Sequence, residues 1–269
     1  MVDSTETDRF RSAVSGGAML LVAMLATAAF VVVGAVVGAR MLRIALRTRQ
    51  LPELYLGGSL FLYAAVGQPF VVASRPLGGA FGFEVRLFAV ALGLAAIISS
   101  MLALYLFTWH VFRADSKWAE PLVWLAACAA ILSGTVVLAT IPSTPGIVTL
   151  GMKLGIGCLS LVFAIGMGWT GWESFRYHGM MRRRLALGLA DPVVVNRFLL
   201  WGSGCAITGL TALAMIGCVG AGFNVANHPA PLMLTSVAGT FIAGCWYLTF
   251  LPPASYLRWI GGETAAQEA

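Results

Sequence analysis

Residues 84–112 read EVRLFAVALGLAAIISSMLALYLFTWHVF, and this stretch decides the fold because positions 87–109 carry no charged side chain. An α-helix rises about 1.5 Å per residue, so about 20 apolar residues cross the hydrocarbon layer of a bilayer. The stretch therefore predicts a membrane-spanning helix.

The composition of the whole chain is that of a membrane protein. Of its 269 residues, 59% are hydrophobic and 10% are charged, whereas soluble domains are about 25% charged. A chain of this length fits one bundle of about six to eight spans and leaves no room for a separate soluble domain.

Apolar runs long enough to cross a membrane occur seven times along the chain. They lie at about 16–39, 54–73, 84–112, 119–140, 147–172, 198–222 and 232–251. The sequence predicts an all-α, polytopic bundle of seven transmembrane helices over residues 16–257. Short tails at 1–15 and 258–269 would lie on either side of it.

The distribution of Lys and Arg predicts the orientation of the bundle. Twelve of the seventeen cations follow spans one, three, five and seven. They are Arg40, Arg43, Arg47, Arg49, Arg113, Lys117, Arg176, Arg182, Arg183, Arg184, Arg197 and Arg258. The positive-inside rule then places the N-terminus outside and the C-terminus in the cytoplasm. We expect an integral protein of a bacterial-type cytoplasmic membrane, and no nucleic-acid partner, because the net charge of +6 reflects topology.

Two groups of arginines are candidates for contacts outside the bundle. We expect both groups to bind anionic lipid headgroups, since each such residue near the surface contributes about 1 kcal/mol. Docking of an acidic cytoplasmic signalling partner is the alternative. The two groups are Arg40, Arg43 and Arg47 after span one, and Arg182, Arg183 and Arg184 after span five.

One lysine interrupts the fifth apolar run, where residues 149–157 read TLGMKLGIG. On a helical wheel Lys153 shares a stripe of small and polar residues, so we expect it to face protein or water inside the bundle. An ionisable group inside a span is a functional candidate by default. Snorkelling of the amine to the headgroups is the structural alternative.

The predicted partner of Lys153 is Glu84, which opens span three on the same side of the membrane. Gln68, near the end of span two, and Asn224, just after span six, complete the prediction. Together the four residues would form an ion pair or a polar, ligand-binding pocket that opens outward.

A retinal cofactor and a haem or metal cofactor would each require particular residues in the spans. In microbial rhodopsins the retinal-bearing lysine lies on the seventh helix, and span seven here has no lysine, so retinal is not expected. Haem or a metal ion would need paired ligands on facing helices, for which His110 and His178 are the candidates. The five cysteines form no C-x-x-C pattern, so they predict neither a disulfide framework nor a zinc site.

Glycines in the G-x-x-x-G spacing occur at Gly34 and Gly38 and at Gly151 and Gly155. Such pairs let two helices approach closely in lipid. We expect them to serve packing inside the bundle, with a dimer interface as the alternative.

These observations favour a non-enzymatic, receptor-like sensor that binds a small ligand in the outward-facing pocket. A transporter of small solutes with a 3+1+3 arrangement of spans is one alternative. A haem- or metal-binding membrane subunit is the other. An enzyme is not expected, because the chain contains no nucleophile elbow, phosphate loop or zinc-protease motif.

Overall fold

A computed structural model describes residues 4–144, 147–223 and 228–261. The described residues are 88% helical and form no strand. Seven of their helices are long and apolar enough to cross a membrane. The predicted all-α, seven-helix membrane fold is therefore confirmed.

The helices are numbered in chain order. They are α1 (Ser4–Thr48), α2 (Leu51–Phe61), a π-helical segment (Leu62–Gly67), α3 (Gln68–Phe81), α4 (Phe83–Phe112), α5 (Ala119–Ala139), α6 (Leu150–Ala186), α7 (Pro192–Gly220), α8 (Pro229–Phe250) and α9 (Ala254–Gly261). The second span consists of α2, the π-helical segment and the first half of α3.

The fifth span departs most from the sequence-based bounds. The predicted spans 147–172 and 198–222 leave 173–197 as a connection, but α6 continues into this segment as far as Ala186. Arg, Met, Leu and Ala have high intrinsic helix propensity, and the helix ends only before Gly188, which has a φ of 71°. At about 1.5 Å per residue, α6 is much longer than the hydrocarbon layer.

The helices close into a ring that includes α4. In this ring α1 packs against α2 and α8, α8 against α7, α7 against α6, α6 against α5, α5 against α4, and α4 against α2. Helix α4 also contacts α3 and α6, and half of its most apolar window is buried, more than in any other described span. The apolar stretch 84–112 thus forms the most buried of the described spans.

The two ends of the bundle differ in charge. The connections after α1, α4 and α6 and the segment after α8 meet at one end. It is here called the basic end because the twelve cations named above lie in these segments or in the adjoining parts of α1, α6, α7 and α9. The connections after α3, α5 and α7 meet at the opposite end. Which end faces the cytoplasm stays a prediction of the positive-inside rule.

The outer surface of the ring is apolar. Phe88 and Val237, for example, are 68% and 69% exposed. Hydroxyl groups on the same surface bond within their own helix, as Thr135 Oγ1 does by donating to the carbonyl of Ile131 at 2.9 Å. Such a surface suits a lipid solvent, in which polar groups must be satisfied internally.

The second span contains an irregular turn. Its π-helical segment precedes Pro69, which has no N–H to donate and whose ring would collide with the carbonyl four residues earlier. The wider turn accommodates this, and the backbone N–H of Gln68 donates to the carbonyl of Tyr63 instead. The Tyr63 ring then stacks on Phe163 of α6 with centroids 5.4 Å apart.

Both G-x-x-x-G pairs lie at contacts inside this chain, which confirms the packing interpretation. A Cβ atom at Gly34 would come within 2.7 Å of Ala64 Cβ, and one at Gly38 within 2.6 Å of the backbone nitrogen of Phe61. On α6, a Cβ atom at Gly155 would lie 2.9 Å from the carbonyl oxygen of Ser133. These helices are therefore as close as their backbones allow.

We predict that Gly38→Ala destabilises the bundle by about 1–3 kcal/mol, because the added methyl group meets the backbone of α2 and not a movable side chain. The measurement is denaturation of the purified protein in mixed micelles, followed by circular dichroism. Gly58→Ala is the matched control, since a Cβ atom there has no neighbour within 4 Å. Equal stability of the two variants would contradict the close-packed crossing.

Candidate functional site

Lys153 lies near the start of α6 and is exposed. The close contacts of this part of α6 are made by Gly151 and Gly155, which pack against Thr140 and Val137 at the end of α5. Because these glycines determine which face of α6 is buried, the lysine is left on the outside of the bundle.

Glu84, the predicted partner, lies in the first turn of α4 and is also exposed. Among the described residues, the ion pairs do not include Lys153 or Glu84. Gln68 is partly buried at the start of α3, and Asn224 lies outside the described residues. Lys153 and Glu84 thus form no ion pair among the described residues, and the outward pocket of the four positions stays a prediction.

The buried cation at the opposite end is Arg86, in the second turn of α4. Its residue is 7% exposed, and its Nη1 donates to the carbonyl of Pro142 at 3.0 Å. Its aliphatic stem rests on Gly78 of α3, where a Cβ atom would come within 2.6 Å of it. Arg86 therefore ties the start of α4 to the connection after α5.

The two candidate haem or metal ligands have different neighbours. The ring of His110 on α4 lies tilted against that of Tyr55 on α2, with centroids 5.3 Å apart. The Nδ1 atom of His178 on α6 lies 3.0 Å from the carbonyl of Val195 on α7. In the described part of the chain, no three His, Cys, Asp or Glu residues are grouped as metal ligands.

The arginines predicted to bind lipid or a partner are all exposed at the basic end. Helix α1 continues to Thr48, so Arg40, Arg43 and Arg47 lie on the C-terminal part of this helix. Arg40 is also tied to the bundle, because its Nη1 donates to the carbonyl of Phe250 at 2.9 Å.

The strongest polar cluster lies at the basic end and centres on Glu173 of α6. This carboxylate is 1% exposed. Its Oε1 accepts a hydrogen bond of 2.6 Å from Nε of Arg113, which caps the C-terminus of α4. Its Oε2 has no hydrogen bond, and Nη1 of Arg176 is 3.7 Å from it. One buried negative charge therefore holds two arginines from two parts of the chain.

Arg113 is oriented from two sides. Its guanidinium lies over the ring of Trp118, 5.8 Å from the centroid, in a cation–π arrangement. Its described side-chain hydrogen bond to Glu173 uses Nε alone. The terminal nitrogens of the guanidinium thus keep donors for another acceptor.

A column of hydroxyl groups connects this cluster to the core between α4 and α6. The hydroxyls of Thr108 and Thr170 are 2.7 Å apart, and both residues are fully buried. One turn further in, the hydroxyl of Tyr105 donates to the carbonyl of Val162 at 2.7 Å. Gly166 makes room for the Tyr105 ring, which a Cβ atom would approach to 2.6 Å. The otherwise apolar α4–α6 contact thus contains two buried hydrogen-bonded positions.

A cavity of about 270 Å³ lies beside the cluster at the basic end, and it is here called the basic-end cavity. The polar groups that line it belong to Arg113, Asp115 and Ser116 on the connection after α4 and to Arg176 and Tyr177 on α6. Phe112 and Met180 form apolar walls. Its volume is just under the range of about 300–1,000 Å³ that is typical of drug-sized ligands, so it suits a small polar group.

The sequence contained a signal for this site that the sequence-based prediction did not use. Glu173 follows the apolar run of α6 directly, in the sequence GWTGWESFRYHG. The criterion that selected Lys153, an ionisable residue in or near a span, applies equally to Glu173. Its pairing with Arg113, 60 residues away in the sequence, required the packing of α4 against α6.

No known protein family, curated protein or solved structure matches this chain. The class of the protein therefore follows from its own fold. It is an integral membrane protein built from seven apolar helices.

We predict energetic coupling between Arg113 and Glu173 in a double-mutant cycle. Arg113→Gln and Glu173→Gln should each destabilise the bundle, because each leaves the partner charge unpaired. The double variant should lose about 0.5–3 kcal/mol less than the sum of the single losses. The measurement is again denaturation in mixed micelles.

Lys117→Gln and Glu120→Gln provide the control cycle. Both residues are exposed at the same end of the bundle and form no ion pair among the described residues. Their effects should add to within about 0.3–0.5 kcal/mol. Additive effects at Arg113 and Glu173 as well would show that the observed pair does not contribute to stability.

Proposed function

We propose that the protein is a non-enzymatic, receptor-like membrane sensor whose sensing site is the basic-end cavity. The observation that supports this most is the buried carboxylate of Glu173, which joins α6 to Arg113 beside that cavity. The site differs from the outward pocket suggested by the sequence, since neither Lys153 nor Glu84 has a described ion-pair partner.

A buried ion pair is a costly way to join two helices. Removing two charges from water costs several kcal/mol, and an apolar pair of the same volume is often equally stable or more stable. The best-attested use of such a pair is to specify one arrangement among alternatives. In this protein the pair would set whether the ends of α4 and α6 are held together.

The position of the pair suits a relay. Arg113 and Arg176 both line the cavity and both lie next to Glu173. A ligand that draws either guanidinium toward the cavity weakens its attraction to Glu173. The change would reach the exposed arginines Arg182, Arg183 and Arg184, because they lie on the same continuous helix α6. A cytoplasmic signalling partner or the anionic membrane surface would detect it there.

We predict that Glu173→Gln loosens the basic end while the spans stay folded. Backbone amides in residues 113–118 and 174–186 should exchange hydrogen for deuterium about tenfold faster, which corresponds to about 1.4 kcal/mol of local stability. The measurement is exchange followed by mass spectrometry on protein in lipid nanodiscs.

Glu120→Gln is the matched control for this experiment, because Glu120 is an exposed glutamate in the first turn of α5 at the same end. It should leave the exchange of both segments unchanged. If Glu173→Gln also left them unchanged, the pair would not control the state of the basic end, and the proposed sensor mechanism would fail.

A further inference from the structure

We infer that the basic-end cavity binds a phosphate group, carried either by a lipid headgroup or by a small soluble compound. This inference rests on the proposed function, because it names the ligand class of the same site. It follows from the hydrogen-bond donors, the size and the location of the cavity.

Arg113 supplies the first group of hydrogen-bond donors. Its Nε is occupied by Glu173, and Trp118 lies against its face. The guanidinium is thus held in one orientation before any ligand arrives. Its side chain is 25% exposed and Arg113 is one of the residues that line the cavity, so its terminal nitrogens are the donors that it has left for a ligand there. A fixed planar fork of this kind is the preferred protein partner of a phosphate oxygen pair.

Arg176 supplies a second guanidinium from α6. Its nearest carboxylate oxygen is 3.7 Å away, beyond hydrogen-bond distance, and its side chain is 50% exposed. It can therefore turn into the cavity without breaking a hydrogen bond to Glu173. Ser116 and Tyr177, which each carry a hydroxyl group, are further lining residues. Two forks and two hydroxyls exceed what the two oxygens of a carboxylate can accept, but they match the oxygens of a phosphate group.

Two carboxylates oppose an anion in this cavity. Glu173 is already neutralised by Arg113 at 2.6 Å. Asp115 lines the cavity and is exposed, so water and salt screen its charge. The charge of Asp115 that remains after screening repels an anion. Asp115→Asn should therefore tighten the binding of a phosphate group, whereas it should weaken the binding of a cation.

The location allows both sources of the phosphate group. Trp118 is 50% exposed and Trp172 is 70% exposed near the cavity-lining helix ends, and exposed tryptophans favour the level of the lipid headgroups. A headgroup phosphate from that layer and a soluble phosphate compound would use the same donors. The experiment therefore has one arm for each source.

The test measures protection of residues 112–118 and 176–180 from hydrogen–deuterium exchange in nanodiscs. In the first arm, nanodiscs of digalactosyldiacylglycerol, a neutral lipid without phosphate, are titrated with inorganic phosphate, against chloride at matched ionic strength. In the second arm, phosphatidic acid is added to the same nanodisc in steps, against glucuronosyldiacylglycerol, a phosphate-free carboxylate lipid, at matched negative charge. Concentration-dependent protection by phosphate alone assigns a soluble ligand. Protection by phosphatidic acid beyond that by the carboxylate lipid assigns a lipid headgroup.

Four variants test whether any protection from exchange arises from binding in this cavity. Arg176→Gln should raise the midpoint concentration at least tenfold, and it should fold normally because Arg176 makes no hydrogen bond to Glu173. Arg113→Lys keeps the charge next to Glu173 but loses the fork, and should raise the midpoint about fivefold or more. Asp115→Asn should lower it. Arg258→Gln, on the exposed face of α9, should leave it within twofold.

The inference is overturned if neither arm protects the two segments, or if protection persists at the wild-type midpoint in both Arg176→Gln and Arg113→Lys. Either outcome leaves the sensor proposal standing when Glu173→Gln still loosens the basic end, since that experiment contains no added ligand. If Glu173→Gln has no effect while phosphate still protects, the cavity is a binding site without the relay.

Discussion

The ion pair between Arg113 and Glu173 is the interaction on which both the packing of α4 against α6 and the candidate site depend. A carboxylate that is 1% exposed cannot stay charged in an apolar bundle without a partner. The partner comes from the end of α4, the described span with the most buried apolar window. The same contact brings the connection after α4 against α6 and so forms the basic-end cavity. The packing of the core and the candidate site therefore share one interaction.

The membrane environment explains why the rest of the bundle looks as it does. Lipid supplies no hydrophobic force between helices, so they associate through close packing and internal hydrogen bonds. Glycines at helix crossings provide the close packing, as Gly38 does against the backbone of α2. Hydroxyl pairs such as Thr108 and Thr170 provide the hydrogen bonds. Charge is concentrated at the ends, where water can reach it.

The fold was accessible from the sequence because the bilayer imposes a simple length rule. Apolar runs and their flanking cations predicted all seven spans, and the G-x-x-x-G pairs were correctly interpreted as packing inside the chain. The bounds were less accurate where intrinsic propensity took over from hydropathy. Helix α6 continues to Ala186 because nothing in the arginine-rich segment breaks a helix before Gly188.

The candidate site was harder to predict, because it depends on which faces of the helices are buried. Hydropathy makes Lys153 conspicuous, yet the glycines on another face of α6 leave it exposed. Glu173 lies near the end of its span, and the sequence around it does not show its partner, because Arg113 is 60 residues away in the chain. Pairing of that kind is fixed by the crossing of α4 and α6, which a single sequence does not specify.

The most direct test of the central interaction is solid-state NMR of the protein in lipid bilayers, with ¹⁵N-labelled arginine and ¹³C-labelled glutamate. Dipolar recoupling should detect a close contact between a guanidinium Nε and a glutamate carboxyl carbon, and the contact should vanish in Glu173→Gln. Its persistence in Glu120→Gln would assign it to the buried pair. A wild-type spectrum without such a contact would contradict the account, because Arg113 and Glu173 would then not be joined at 2.6 Å.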